Sequence, residues 1–309
     1  MFTGCGTALV TPFRRDGSLD EATMRALVRR QVAAGIDFVC PCGTTGESPT
    51  LTRQEHLRVV ELTLEEAKGK VPIVAGAGGY NTADVIALVR ELAAMGVDGI
   101  VSVSPYYNKP TQEGLYQHYK AIAAATPLPL LLYSVQSRTG VNIEAATVKR
   151  LSEIDNIVGI KEASGNISQM GAILTMVPEN FVVLSGDDAM ALPLMSLGGR
   201  GVISVASNEA PAEMTQLARL ANEGNFVAAR ALHRRYLALM EANFIETNPG
   251  PVKAAMGLMG LLEPVWRLPL VGPKPETVAR LQSVLETLGM VERTGCRLPP
   301  RFEYGVMEQ

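Results

Sequence analysis

Histidine is scarce in this chain. Three occur among 309 residues, His56, His118 and His233, which leaves little room for a histidine-rich centre, and no metal is expected. Charged residues make up only 19%, with 28 basic against 31 acidic side chains and a net charge of -3. That balance and an isoelectric point near 5.8 argue against a general nucleic-acid binder. No apolar run approaches the ~18 residues of a membrane span, so no membrane partner is expected. The opening Met1-Phe2-Thr3-Gly4-Cys5-Gly6 lacks the basic region and apolar core of a leader, and the expected setting is cytoplasmic. Four cysteines, Cys5, Cys40, Cys42 and Cys296, form no C-x-x-C pair and read as buried thiols in a reducing compartment. What is abundant is apolar: 47% of the residues, which excludes disorder. A nucleophile or base is therefore expected from Lys, Tyr, Thr, Ser or a carboxylate.

Short apolar runs alternate with amphipathic stretches of helical spacing, the pattern of repeated βα units and a parallel sheet. Eight strands are expected, at residues 7–10, 38–42, 73–76, 99–103, 130–133, 158–161, 182–185 and 201–205. Helical spacing covers 20–34, 52–68, 82–95 and 112–124. A weak repeat supports the count: Ala33-Ala34-Gly35-Ile36-Asp37 resembles Ala94-Met95-Gly96-Val97-Asp98, with a looser copy at Leu197-Gly198-Gly199. Each places glycine where a helix ends and a buried strand begins. The expected fold class is α/β, a (β/α)8 TIM barrel with a small helical C-terminal subdomain; an open doubly wound sheet is the alternative. Helices at 211–223, 226–242, 251–259 and 275–288 exceed what closure needs. The expected division is a catalytic barrel over 1–224 and a helical subdomain over 225–309, ending in an irregular tail from Arg297.

In such a barrel, chemistry gathers at the carboxyl ends of the strands. Of eight lysines, only Lys161 ends a strand-like run, Ile157-Val158-Gly159-Ile160. An amine on an apolar wall is favoured in its neutral form, which attack on a carbonyl requires; a structural lysine paired with Glu162, or an anion site, is the other reading. Gly43-Thr44-Thr45-Gly46 is either a nest for a carboxylate or a tight turn. Tyr106, Tyr107 and Tyr133 fall at strand ends, as proton carriers or as aromatic caps on the core. Arg138 suits a carboxylate through its planar fork. His56 and His233, within helical stretches, read as solvent-facing or partly packed. Asp187-Asp188 reads as a helix start rather than a metal site.

Five segments, Gly43-Thr44-Thr45-Gly46-Glu47, Pro105-Tyr106-Tyr107-Asn108-Lys109-Pro110, Gly159-Ile160-Lys161-Glu162-Ala163, Leu184-Ser185-Gly186-Asp187-Asp188 and Asn248-Pro249-Gly250-Pro251-Val252-Lys253, together resemble the dihydrodipicolinate synthase family. That family belongs to the pyruvate Schiff-base lyases, which include N-acetylneuraminate lyase. The resemblance covers roughly residues 3 to 290. It implies that Lys161 forms an imine with pyruvate, and that the derived enamine attacks aspartate semialdehyde in lysine and diaminopimelate biosynthesis. It further implies Tyr133 as general acid/base, with Thr44 and Tyr107 as a proton relay in which Tyr107 crosses from a neighbouring protomer. Thr45 and the backbone around Gly186 and Ile203 match the pyruvate-binding positions, and Arg138 the residue for the semialdehyde carboxylate. No cofactor is implied, and the implied assembly is a homotetramer, a dimer of dimers.

The chain departs from the family pattern at Ser134, where Asn is usual, and at Gln136, where Pro is usual. These positions bear on the second substrate, the alternatives being another pyruvate-dependent aldolase acting on a sugar acid, or a non-catalytic keto-acid-binding barrel. In the family's lysine-feedback site, Ser48, His56 and Tyr106 match, whereas Tyr80 and Asp84 stand where Asn and Glu are frequent. The substitution implies weak or absent inhibition by lysine.

Overall fold

A computed structural model describes residues 2–292. Cys296 and the tail from Arg297 lie outside the described residues. Eight parallel strands, β1 (Gly4–Ala8), β2 (Phe38–Cys40), β3 (Val74–Gly76), β4 (Gly99–Val103), β5 (Leu130–Ser134), β6 (Ile157–Glu162), β7 (Val182–Ser185) and β8 (Gly201–Ser204), run in the order β2-β1-β8-β7-β6-β5-β4-β3. The two ends of that order meet. Val39 N–H donates to Pro72 O at 3.0 Å and Gly76 N–H to Pro41 O at 2.9 Å, with a parallel bridge between Val39 and Ile73. Sequential strands are therefore neighbours all the way round, and the open doubly wound alternative is excluded in favour of the (β/α)8 barrel.

The helices are α1 (Glu21–Ala33), α2 (Arg53–Ala67), α3 (Thr82–Met95), α4 (Gln112–Ala124), α5 (Gln136–Thr139), α6 (Ala145–Leu151), α7 (Ile167–Met176), α8 (Asp188–Ser196), α9 (Pro211–Asn222), α10 (Phe226–Ala242), α11 (Gly250–Leu258) and α12 (Pro275–Leu288). The glycines of the repeat behave as expected: Gly35, Gly96 and Gly198 all have positive φ, ending one element so that the next strand can start. Asp187 caps α8 by accepting the Ala189 N–H at 2.9 Å. Asp188 is more than a first-turn acid, however. It is buried, and its Oδ2 accepts the Val205 and Ala206 N–H groups at 2.9 Å each, tying α8 to the end of β8.

Strand ends differ from expectation for identifiable reasons. β1 starts at Gly4 rather than Thr7, because an apolar-run criterion overlooks glycine. A Cβ on Gly6 would lie 2.1 Å from the Phe38 ring, so this strand needs bare backbone at its inner face. β2 ends at Cys40 because Pro41 has no N–H for the ladder. Two apolar layers result. Inward-facing Phe38, Cys40, Val74, Val101, Leu131, Leu184 and Ile203 fill the barrel over Phe2, and alternate residues such as Val39, Ile100, Leu132, Ile160 and Val183 pack against the helices. Cys5, Cys40 and Cys42 are free and buried; burial pushes the Cys40 thiol up to about 12 and those of Cys5 and Cys42 upward as well.

Candidate active site

The period-2 alternation that buries Leu131 inside the barrel also turns Tyr133 inward at the carboxyl end of β5, and the neighbouring strand presents Lys161 beside it. The two are register partners, and Lys161 Nζ lies 4.2 Å from the centroid of the Tyr133 ring. Lys161 is only 7% exposed. It is not paired with Glu162, since Glu162 faces the helix layer, where it accepts the Ser164 N–H at 3.2 Å and Gln169 Nε2 at 2.9 Å. Burial pushes the Glu162 carboxyl upward against these hydrogen bonds. The structural pairing considered for Lys161 is thus absent among the described residues, and its amine is directed into the barrel mouth.

That mouth opens on a cavity of about 430 Å³ lined by Thr44, Tyr106, Tyr133, Arg138, Lys161 and Ile203, with Ala8, Cys40, Ser48 and His56 also in its wall, a size suited to a small ligand. Gly186 packs against the lysine stem rather than lining the cavity: a Cβ there would lie 3.0 Å from Lys161 Cε and 2.7 Å from Ala163 Cβ. Thr45 is buried behind Thr44, its hydroxyl accepting Asn248 Nδ2 at 3.0 Å. Arg138 lies in the single turn of α5 at the cavity wall, donating to Asn248 O at 3.1 Å.

Of the other expected residues, Tyr107, Tyr80 and Asp84 do not line the cavity. Tyr107 is 91% exposed with φ 70° and points away from the cavity of its own chain. Tyr80 packs edge-on against Tyr106, ring centroids 5.3 Å apart, and Asp84 accepts Asn81 Nδ2 at 2.8 Å at the start of α3. His56, expected to be solvent-facing or partly packed, is buried. Desolvation pushes it down to about 4, because it shares the inner face of α2 with Val59, Val60 and Thr63. Ser134 is also turned away from the cavity. Its hydroxyl donates to Asn142 Oδ1 at 3.2 Å and accepts the Ile143 N–H at 3.1 Å, so this departure alters the outside of the barrel wall. Sequence reading assigned no role to Asn248 or Lys253, although Lys253 stands as a lone charge in the apolar stretch Val252-Lys253-Ala254-Ala255-Met256.

Fold and site together define a class: a (β/α)8 barrel presenting a lysine and a tyrosine to one cavity at its carboxyl mouth, the equipment of a Schiff-base lyase. Comparison with known proteins narrows it. The model of the Dihydrodipicolinate synthetase family matches residues 1–288. A 4-hydroxy-tetrahydrodipicolinate synthase of Koribacter versatilis is 53% identical over 290 residues, 94% of this chain and 97% of that protein. Among solved structures, the dihydrodipicolinate synthase from Aquifex aeolicus superposes with a TM-score of 0.92 at 42% identity, covering 94% of this chain and 100% of that one. The chloride-inhibited dihydrodipicolinate synthase from Acinetobacter baumannii complexed with pyruvate gives 0.93 at 40% identity, with 94% and 100% covered. The chain belongs to the dihydrodipicolinate synthetase family.

Proposed function

We propose that this chain condenses pyruvate with L-aspartate 4-semialdehyde, as a 4-hydroxy-tetrahydrodipicolinate synthase of lysine and diaminopimelate biosynthesis. The observation that carries the reading is the buried Lys161 amine 4.2 Å from the Tyr133 ring in a closed-barrel cavity. Neutral Lys161 Nζ attacks the keto carbon of pyruvate; the carbinolamine loses water to give an iminium, and loss of a methyl proton gives the enamine. The enamine carbon attacks the semialdehyde aldehyde, whose oxygen takes a proton as the new carbon–carbon bond forms. The substrate amine then adds to the iminium carbon and expels Lys161 as the free amine, closing the ring. Tyr133 moves the protons. Thr44 and Tyr107 of a neighbouring protomer carry them to and from solvent, a role that the exposure of Tyr107 supports. The lysine serves as electron sink, so the reaction as written calls for no cofactor.

In this reading Ile203 lines the pyruvate end of the cavity, with Gly186 against the Lys161 stem and Thr45 held by Asn248 behind it, and Arg138 at the cavity wall takes the semialdehyde carboxylate. In this reading the catalytic barrel runs to residue 224 and a C-terminal subdomain begins at 225, its described part supplying α10 to α12. Homotetrameric assembly as a dimer of dimers belongs to the reading, since Tyr107 has no cavity to serve within its own chain. A cytoplasmic setting is in keeping with the described helices, none of which is long and apolar enough to cross a membrane.

Turnover tests the second half. Purified chain given pyruvate and aspartate semialdehyde should release the cyclic product, and Arg138→Ala should raise the semialdehyde KM by about tenfold or more while leaving imine formation with pyruvate intact. No cyclic product beside efficient cleavage of a sugar acid would assign the chain to another aldolase.

A further inference from the structure

The turn over residues 43–47 that carries Thr44 and Thr45 is held in an unrelaxed shape. Cys42 and Glu47, at its two ends, have φ of 57° and 54° without being glycine, a conformation that persists only where its surroundings dictate it. Those surroundings come from the far end of the chain. Glu47 Oε1 lies 2.6 Å from Lys253 Nζ on α11, 206 residues away, and both side chains are fully buried. Lys253 also donates to Thr11 O at 3.0 Å and lies over the Phe13 ring at 4.4 Å. The second Glu47 oxygen accepts the Arg267 N–H at 3.3 Å. Two further bonds grip the same turn: Thr11 Oγ1 donates to Gly46 O at 2.7 Å, and Asn248 Nδ2 to Thr45 Oγ1 at 3.0 Å.

Burial pushes the Lys253 ammonium down and the Glu47 carboxylate holds it up, so desolvation works against the charged pair. A fully buried ion pair is a poor source of net stability compared with an apolar pair of the same volume. Its geometric effect is specific: it joins the strained end of the turn to an element outside the ring of barrel helices.

We propose that Glu47 and Lys253 are positioning residues, a clamp through which the C-terminal helices set the Thr44 hydroxyl against the substrate bound at Lys161. The proposal rests on the Schiff-base reading above. It gives the C-terminal helices a part in catalysis, and it makes the turn a preorganised element rather than a loop that orders on binding.

The test uses the full-length chain with pyruvate and aspartate semialdehyde. Lys253→Met alone strands a buried carboxylate and risks misfolding. The informative variant is Glu47→Gln/Lys253→Met, which removes both charges, with Glu47→Gln alone read in parallel as the milder change. The double variant should still form the borohydride-trapped pyruvate adduct on Lys161 while losing about tenfold or more in kcat, and Glu47→Gln about threefold or more. In a Thr44→Val background the same pair of substitutions should cost less than about twofold further, because the clamp acts through that hydroxyl. A kcat within about twofold of wild type in both variants overturns the clamp, as does a full additional loss in the Thr44→Val background, the mark of a merely structural pair. A wild-type chain that forms no adduct overturns the Schiff-base reading instead, and removes the reaction the clamp would serve.

Discussion

Tyr133 and Ser134 are adjacent in sequence and opposite in consequence. The alternation of a strand that turns Tyr133 onto the cavity turns Ser134 onto the helix layer, so its exchange for the family's usual Asn changes a hydrogen bond to Asn142 and no lining group. Tyr80 is the departure that touches a cavity-lining residue, since its ring packs edge-on against Tyr106, and burial together with Tyr80 pushes the Tyr106 hydroxyl upward. We expect a lysine titration of the pyruvate–semialdehyde reaction to give weak or no inhibition, and Tyr80→Asn to restore sensitivity; cooperative inhibition of the unmodified chain at sub-millimolar lysine would contradict this. Lys161 was legible in the sequence because its signal is local: a lone lysine ending a buried strand. Ser134 was read as bearing on the second substrate, and its hydrogen bonds to Asn142 and Ile143 turn it away from the cavity instead. The partnership of Glu47 with Lys253 was not legible, because only the closed fold brings residues 206 apart into contact.

Helices α2 and α4 each bury a histidine, and their patterns show why. His56 falls on the face shared by Val59, Val60 and Ala67, and His118 on that of Leu115, Tyr119 and Ile122. Desolvation pushes both imidazoles down to about 4, from an ordinary value near 6.5. The folded state therefore keeps them neutral where the unfolded chain takes up protons. Their contribution to stability is complete above about pH 6.5 and is lost as pH falls toward 4. Buried Asp188 and Glu209, whose carboxyls burial pushes upward, act in the opposite sense, so global melting mixes the two. NMR titration of the imidazole protons separates them: both rings should remain neutral at pH 5.5, and a midpoint near 6.5 for either would show it to be solvated. Glu55, held down to about 2 mainly by its hydrogen bonds from Arg267, should stay ionised throughout that titration.

Across the whole molecule, the sequence pattern carried the ring of strands and helices and the glycines that punctuate it, because each βα unit is written within a few dozen residues. Closure was expected from the count of units, yet no local pattern marked the seam, and an open sheet stayed as the alternative. β2 meets β3 through a single bridge and two flanking hydrogen bonds, too short a ladder to leave a sequence signature, and the inner face of β1 depends on glycines that no apolar count registers. Nor did it reveal how α11 reaches back to the turn bearing Thr44. The proposed reaction, and the clamp that would serve it, depend on one amine. The most direct measurement is therefore borohydride reduction of the chain in the presence of pyruvate, followed by peptide mass mapping. One stable pyruvate adduct per chain is expected, on Lys161, and none after Lys161→Ala. An adduct on Lys109, Lys253 or any other lysine, or no adduct at all, would contradict it.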